Sequence, residues 1–343
     1  GKEKKMHIPD GYLSPASCAV MYAAATPFWY RASQKVKRVL TAKMVPLIAL
    51  FAAFSFVIMM FNVPLPGGTT GHAVGSALVA IILGPWAAVI AISVALAIQA
   101  LFFGDGGILA FGANSFNMAM VMPFVGYYIY RWVSGRSELT SLRRPIGAAV
   151  AGYVALTMAA LFTAIEFGLQ PYLFKATDGT PLYAPYGLSV AIPAMMGPHL
   201  LVASVVEALV TGSIVAYLQR ANQPLLMLTT PAEAKARTVA SPRTRILWIG
   251  LAILILLAPL GLLAPGTAWG EWGGEELRGL GLGFIPEGLE RLGGIWPAPI
   301  PDYEVLGLNA NLGYILSAIV GIVLVSLVTW LVSRMVVRQS TEI

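Results

Sequence analysis

Trp86-Ala-Ala-Val-Ile-Ala-Ile-Ser-Val-Ala-Leu-Ala-Ile-Gln-Ala-Leu-Phe-Phe103 runs for 18 residues without a charge. About 20 predominantly apolar residues are needed to cross a bilayer as a helix. The run shows none of the strict alternation of a membrane barrel strand, and lipid demands a backbone satisfied within its own segment. It therefore reads as a membrane helix. Gly84-Pro85, a strong helix breaker, stands before it. Beyond the breaker lies a shorter apolar run, residues 72–83.

Outward from this pair the same pattern recurs. Apolar segments fall at roughly 16–38, 44–62, 72–83, 86–103, 112–133, 145–168, 187–218, 246–264 and 312–336. The fold class expected is an all-α membrane protein, a polytopic helical bundle. It has about seven core transmembrane helices plus two C-terminal ones flanking an extracytoplasmic segment, 265–311. Composition agrees, with 57% hydrophobic and 11% charged residues, where a soluble domain carries about 25% charged. Cys18 is the only cysteine, so no intrachain disulfide forms. A secretory signal peptide is the alternative reading of residues 1–25, against which His-Ile-Pro-Asp-Gly interrupts the direct passage into an apolar core.

Charge fixes the direction. With nine spans and the N-terminus outside, sixteen of the twenty-two Lys and Arg residues lie on the inner side, as the positive-inside bias requires. Fusing runs 72–83 and 86–103 into one kinked span destroys that bias, so two are kept. The net charge of +6 is explained by this bias and calls for no nucleic-acid partner. The C-terminus is then cytoplasmic, and the partner everywhere else is the lipid bilayer. Residues 1–220 form a dense block, residues 221–245 a polar, basic cytoplasmic linker, and residues 246–343 a two-helix accessory module.

Two polar Pro/Gly segments each carry a histidine just before a membrane helix. One is Met6-His-Ile-Pro-Asp-Gly-Tyr-Leu-Ser-Pro15 and the other Pro64-Leu-Pro-Gly-Gly-Thr-Thr-Gly-His72. Span parity puts His7 and His72 on the same outer side, and the chain has only three histidines. Neutral imidazole suits nickel, cobalt, copper and zinc. The two rings are candidate ligands of one transition-metal ion; the alternative is a pair of ordinary loop histidines.

These stretches, with Leu83-Gly-Pro-Trp-Ala-Ala88, Phe103-Gly-Asp-Gly-Gly-Ile-Leu-Ala110 and Gly112-Ala-Asn-Ser-Phe-Asn-Met118, resemble the CbiM/NikM family. Its members are substrate-binding membrane components of energy-coupling-factor transporters for nickel and cobalt. Pro286-Glu-Gly-Leu-Glu290 resembles the Pro-Asp-Gly-Leu-Glu signature of the accessory CbiN/NikN subunit, with Glu287 in place of Asp. The resemblance implies a square plane of four nitrogens around nickel or cobalt. These are the amine of Met6, the main-chain nitrogen and ring of His7, and the ring of His72. Gly1-Lys-Glu-Lys-Lys5 precedes Met6, so the amine is a ligand only if the N-terminus is processed to Met6. The metal is substrate, and no organic cofactor is implied. The resemblance also implies a transmembrane coupling subunit and cytoplasmic ATPases, in keeping with the lack of a GxxxxGK loop in this chain. A stand-alone channel or gradient-driven permease is the alternative; an enzyme is not expected, because a four-nitrogen plane leaves few open positions for chemistry.

Asn114 and Asn117 stand at the outer start of the fifth span, where their amides could order the His7 segment. Asp105 reads as a turn residue, and Asp10 is the one acid next to the first histidine. Met118, Met120 and Met122 are spaced by two, on different faces of a helix, and read as packing. His199 has no sequence partner among the other histidines and reads as structural. Glu207, inside the same apolar run, is a candidate functional carboxylate or a buried hydrogen-bonding group. Ala23-Ala24-Ala25 and Gly75-Ser76-Ala77 offer small residues for close helix packing.

Overall fold

The first helix starts where Ser14 and Pro15 say it should. The Ser14 hydroxyl accepts the Ser17 N–H at 3.0 Å, and Pro15 takes the first helical position. In the computed structural model, residues 6–39, 44–226, 228–229, 244–264 and 266–338 are described. The linker expected at 221–245 falls mostly outside them, as do Gly1 to Lys5.

Helices α1 (Pro15–Val39) and α2 (Val45–Met59) are followed by a hairpin of β1 (Val63–Leu65) and β2 (Thr69–Gly71), paired antiparallel with Pro64 opposite Thr70. Then come α3 (Ser76–Leu83), α4 (Pro85–Ile98), α5 (Phe111–Ser115), α6 (Met122–Ser134) and α7 (Arg143–Leu173). The core continues with α8 (Leu188–Pro198), α9 (Ser204–Ala221) and the single turn α10 (Gln223–Leu226). The C-terminal part holds α11 (Thr244–Leu257), the short α12 (Gly274–Gly279) and α13 (Glu287–Leu292), and the long α14 (Ala310–Arg338). Five helical stretches, Pro85–Phe103, Arg143–Leu173, Leu188–Ala221, Thr244–Leu263 and Ala310–Val332, are long and apolar enough to cross a membrane. The protein is a multi-pass helical membrane protein.

The break read at Gly84-Pro85 is real. Gly84 sits at φ +87, a conformation that glycine adopts freely, and it separates α3 from α4. Residues 72–75, expected as helix, are irregular instead, with Gly75 at φ +73, and the buried Glu207 carboxylate accepts the Val74 N–H at 2.8 Å and the Gly75 N–H at 3.1 Å. Glu207 thus closes the N-terminus of α3, whose eight residues are all buried. Gly75-Ser76-Ala77 packs inward: the Ser76 hydroxyl donates to the Met118 carbonyl at 2.6 Å, and a Cβ at Gly126 would press on Ala77.

Three helical runs widen into π-helical turns, over Gln99–Phe103, Phe116–Val121 and His199–Ala203. Such turns are rare and favour functional sites. The C-terminal part packs tightly on the core. A Cβ at Gly321 of α14 would collide with the Phe56 ring of α2. Helix α13 is wedged against the core. Its Gly288 N–H donates to the Leu182 carbonyl at 2.8 Å, and Gly11 lies so close to the Gly288 backbone that no side chain fits there.

Candidate metal site

The first histidine sits in a segment, residues 6–14, that is buried throughout. It has no secondary structure, so its polar backbone must be satisfied by partners from elsewhere. Asn114 does this twice, accepting the Ile8 N–H at 3.0 Å and donating to the Ile8 carbonyl at 3.1 Å. Gly107 N–H donates to the same carbonyl at 2.9 Å. Asp10 reaches across to accept the N–H groups of Ile108 and Ala110 at 3.0 and 3.1 Å, so it is a brace. Gln170 accepts the Ser14 N–H at 3.0 Å, and Tyr12 donates to the Trp272 carbonyl at 3.0 Å.

Asp105 does more than turn the chain. Its Oδ1 accepts the Met6 N–H at 2.9 Å and lies 3.1 Å from His7 Nδ1. Its Oδ2 accepts the Tyr303 hydroxyl at 2.7 Å, and Gln99 donates to that hydroxyl at 3.1 Å. Burial opposes ionisation of this carboxyl, but the His7 ring, the Tyr303 hydroxyl and the Met6 N–H outweigh it and hold the group below its usual range. Tyr303 is placed by two successive non-glycine residues at left-handed φ, Asp302 at 54° and Tyr303 itself at 61°. Its ring stacks on Phe103 at 4.6 Å.

His7 Nε2 is buried and has no hydrogen-bond partner among the described residues. The His72 ring lies beside it, centroids 5.1 Å apart and near perpendicular. With a metal–nitrogen bond of about 2.0–2.1 Å, two imidazoles sharing an ion have centroids at most about 6.4 Å apart, so this pair fits. His72 Nδ1 is 3.1 Å from the Ala73 carbonyl and Nε2 3.2 Å from the Met6 carbonyl. Burial, helped by the nearby His7, pushes the His72 ring down to about 4. It is therefore neutral at neutral pH, with one proton for two carbonyl neighbours. One ring nitrogen faces an oxygen lone pair to lone pair, which a cation would relieve.

A cavity of about 70 Å³ opens between these groups, lined among others by Met6, His7, His72, His199, Trp269 and Glu271. That is room for an ion and several waters. His199 is thus beside the pair from which its sequence position seemed to separate it. Its Nδ1 is 2.8 Å from the Met195 carbonyl. Glu271 is missed by sequence reasoning; its nearest signal is its place between Trp269 and Trp272. Burial, and then the Asp105 charge, push its carboxyl well up. Asn117 corrects an expectation. It donates to Thr163 and Glu166, both at 3.0 Å, and leaves the His7 segment to Asn114. The π-helical turn that begins at Phe116 breaks the regular helix in which Asn114 and Asn117 would share a face. Met118 lines the cavity while Met120 packs with Ala25 and Val89 elsewhere. Among the described residues, no three His, Cys, Asp or Glu side chains are arranged to hold one ion.

Residues 7–225 match the CbiM model, described as a cobalt uptake substrate-specific transmembrane region, and residues 243–338 match the PDGLE domain. The chain is 52% identical over 336 residues to the fused nickel transport protein NikMN of Rhodobacter capsulatus, covering 93% of this chain and 95% of that one. It is 45% identical over 327 residues to the probable fused nickel transport protein LarMN of Lactiplantibacillus plantarum, with the same coverage. A crystal structure of a transition metal transporter, 55% identical, superposes with a TM-score of 0.60 over 67% of this chain and all of that one. A truncated transition metal transporter, 59% identical, gives 0.58 over 62% and 98%.

Proposed function

The chain belongs to the CbiM family, with a PDGLE domain fused behind it, and from that premise we propose that it captures nickel or cobalt at the outer face of the cell membrane. It acts as the substrate-binding subunit of an energy-coupling-factor transporter, beside a transmembrane coupling subunit and cytoplasmic ATPases. It is a transport protein and not an enzyme. The N-terminus lies outside and the C-terminus in the cytoplasm, across nine membrane segments. Residues 1–220 are the metal-binding core, residues 221–245 the cytoplasmic linker and residues 246–343 the accessory module.

The observation that carries the reading is the pair of rings 5.1 Å apart beside a buried cavity, with His7 Nε2 unpartnered. Main-chain nitrogen from Met6 and His7 completes the donor set, and an all-nitrogen set suits nickel or cobalt and rejects magnesium and calcium. While Lys5 is joined to Met6, the open ring nitrogen is Nε2, with Asp105 orienting the ring from Nδ1; carboxylates commonly hold metal-binding imidazoles this way. In the form that starts at Met6 the His7 ring binds instead through Nδ1, which closes a six-membered chelate with its own main-chain nitrogen in place of the Asp105 contact, and the freed amine completes the planar site. Asn114 supports the segment from behind.

Nickel titration of two forms of the full chain, one starting at Gly1 and one at Met6, tests this. The Met6 form binds more tightly and shows the absorption of planar nickel(II). His7→Ala and His72→Ala each weaken binding in both forms by about a hundred-fold or more, since each removes a direct ligand where outer-shell losses already cost 10–100-fold. Unchanged affinity in both variants overturns the assignment. Coupling is read separately: reconstituted vesicles holding this chain alone take up no nickel on ATP addition, and the chain with its coupling subunit and ATPases does.

A further inference from the structure

Glu271 is the one buried acid at the cavity that the proposed ligand set leaves unused. It is only 6% exposed, and its Oε2 has no hydrogen-bond partner among the described residues. Its backbone is fixed. The Glu271 N–H donates to the Ala268 carbonyl at 3.1 Å, and Ala268 bridges to Thr70 of β2, two residues before His72. Trp269 stands edge-on to Trp272, with centroids 5.5 Å apart, and walls this side of the cavity. A buried carboxyl without a partner is held neutral and ionises at low cost only when a cation pairs it. The cavity that Glu271 lines holds three imidazoles, those of His7, His72 and His199, and no Lys or Arg side chain. The missing partner is therefore a cation that comes and goes.

We propose that Glu271 is the first protein ligand of an incoming divalent cation, which it holds inside the cavity and passes to the His7–His72 pair. This rests on the metal-capture reading above. The chemistry divides accordingly. A carboxylate oxygen suits a cation still carrying waters, and the imidazoles suit the stripped transition metal. Among the described residues no three His, Cys, Asp or Glu side chains are arranged to hold one ion, so Glu271 is not a third ligand beside His7 and His72. The ligand comes from the PDGLE part of the chain, so the two matched regions jointly build one path.

The test is rapid mixing of the full-length protein, in detergent or nanodiscs, with Ni²⁺, measuring association rate and equilibrium affinity apart. In Glu271→Gln, which is isosteric and cannot become a carboxylate ligand, association slows about ten-fold or more through loss of the entry contact. The affinity stays within about three-fold of the parent, because entry and exit slow together. Glu271→Asp keeps the carboxyl with a shorter reach and falls between the two. A parent-like association rate in both variants overturns the proposal. So does a loss of equilibrium binding in Glu271→Gln as deep as that in His72→Ala, which would make Glu271 a resident ligand. If His72→Ala itself binds like the parent, the metal-capture reading fails, whatever Glu271 does.

Discussion

The two histidine loops solve one problem in opposite ways. The His72 loop largely supports itself: β1 and β2 pair across it, and from far along the chain Glu207 fixes its end and Ala268 bridges to Thr70. The His7 segment has no internal ladder and is tied by Asp105, Asn114, Gln170 and the backbone of residues 107–110, about a hundred residues away or more. One histidine is placed by local folding and the other only when the whole bundle has assembled. The His7 half of the site thus reports on the packing of the rest, including the C-terminal part through Tyr303 and Gly288.

The sharpest way to break this contrast is at Asp105. Asp105→Asn keeps the shape but supplies only one acceptor oxygen for the Met6 N–H, His7 Nδ1 and Tyr303 hydroxyl. Nickel affinity is expected to fall roughly 10–100-fold, the usual cost of losing a ligand's supporting group. Calorimetric titration measures it. If the His7 segment were self-supporting like the other loop, the loss would be marginal.

Next is pH, which reads the His72 side. Its ring titrates near 6.5 in an unfolded chain and near 4 when folded. Between those values the unfolded chain takes up a proton that the folded chain refuses, so stability drops as pH falls from 6.5 toward 4. Thermal unfolding of the metal-free protein in detergent at pH 7 and pH 5 shows the decrease, and His72→Ala removes this part of it. A smaller effect is expected from Tyr303→Phe, which deletes one hydrogen bond to Asp105 and leaves the stacked ring. About 1 kcal/mol is at stake, near five-fold in nickel affinity.

The difference between the loops also explains what the sequence made legible. Helices came from apolar runs of membrane length, and Gly84-Pro85 marked the break between α3 and α4. His7 and His72 stood out because histidines are scarce and both precede apolar helices. The supports of His7 did not stand out. Asp105 looked like a turn residue between glycines, and nothing local says that its carboxylate meets a ring 98 residues away. Glu271, Tyr303 and His199 reach the site only through packing of segments distant in sequence, and Asn117 leaves it through a π-helical turn that no periodicity announces. Residues that act through their own neighbours can be read from a sequence, and residues that act across the bundle cannot.

The smallest effect sharpens the same point inside Pro286-Glu-Gly-Leu-Glu290. Glu287 pairs with Arg291 at 2.9 Å, but their side chains are 55% and 75% exposed. Such a pair contributes about 0.3–0.5 kcal/mol at most. Glu287→Gln is therefore expected to leave the unfolding midpoint and nickel affinity unchanged within error. Gly288, one residue on, has the Tyr183 ring, the Leu182 carbonyl and Gly11 against it, with no space for a Cβ. What this motif gives the His7 segment is a bare backbone that another backbone can touch, and the departure from Asp to Glu at position 287 costs nothing because that side chain faces away from the contact.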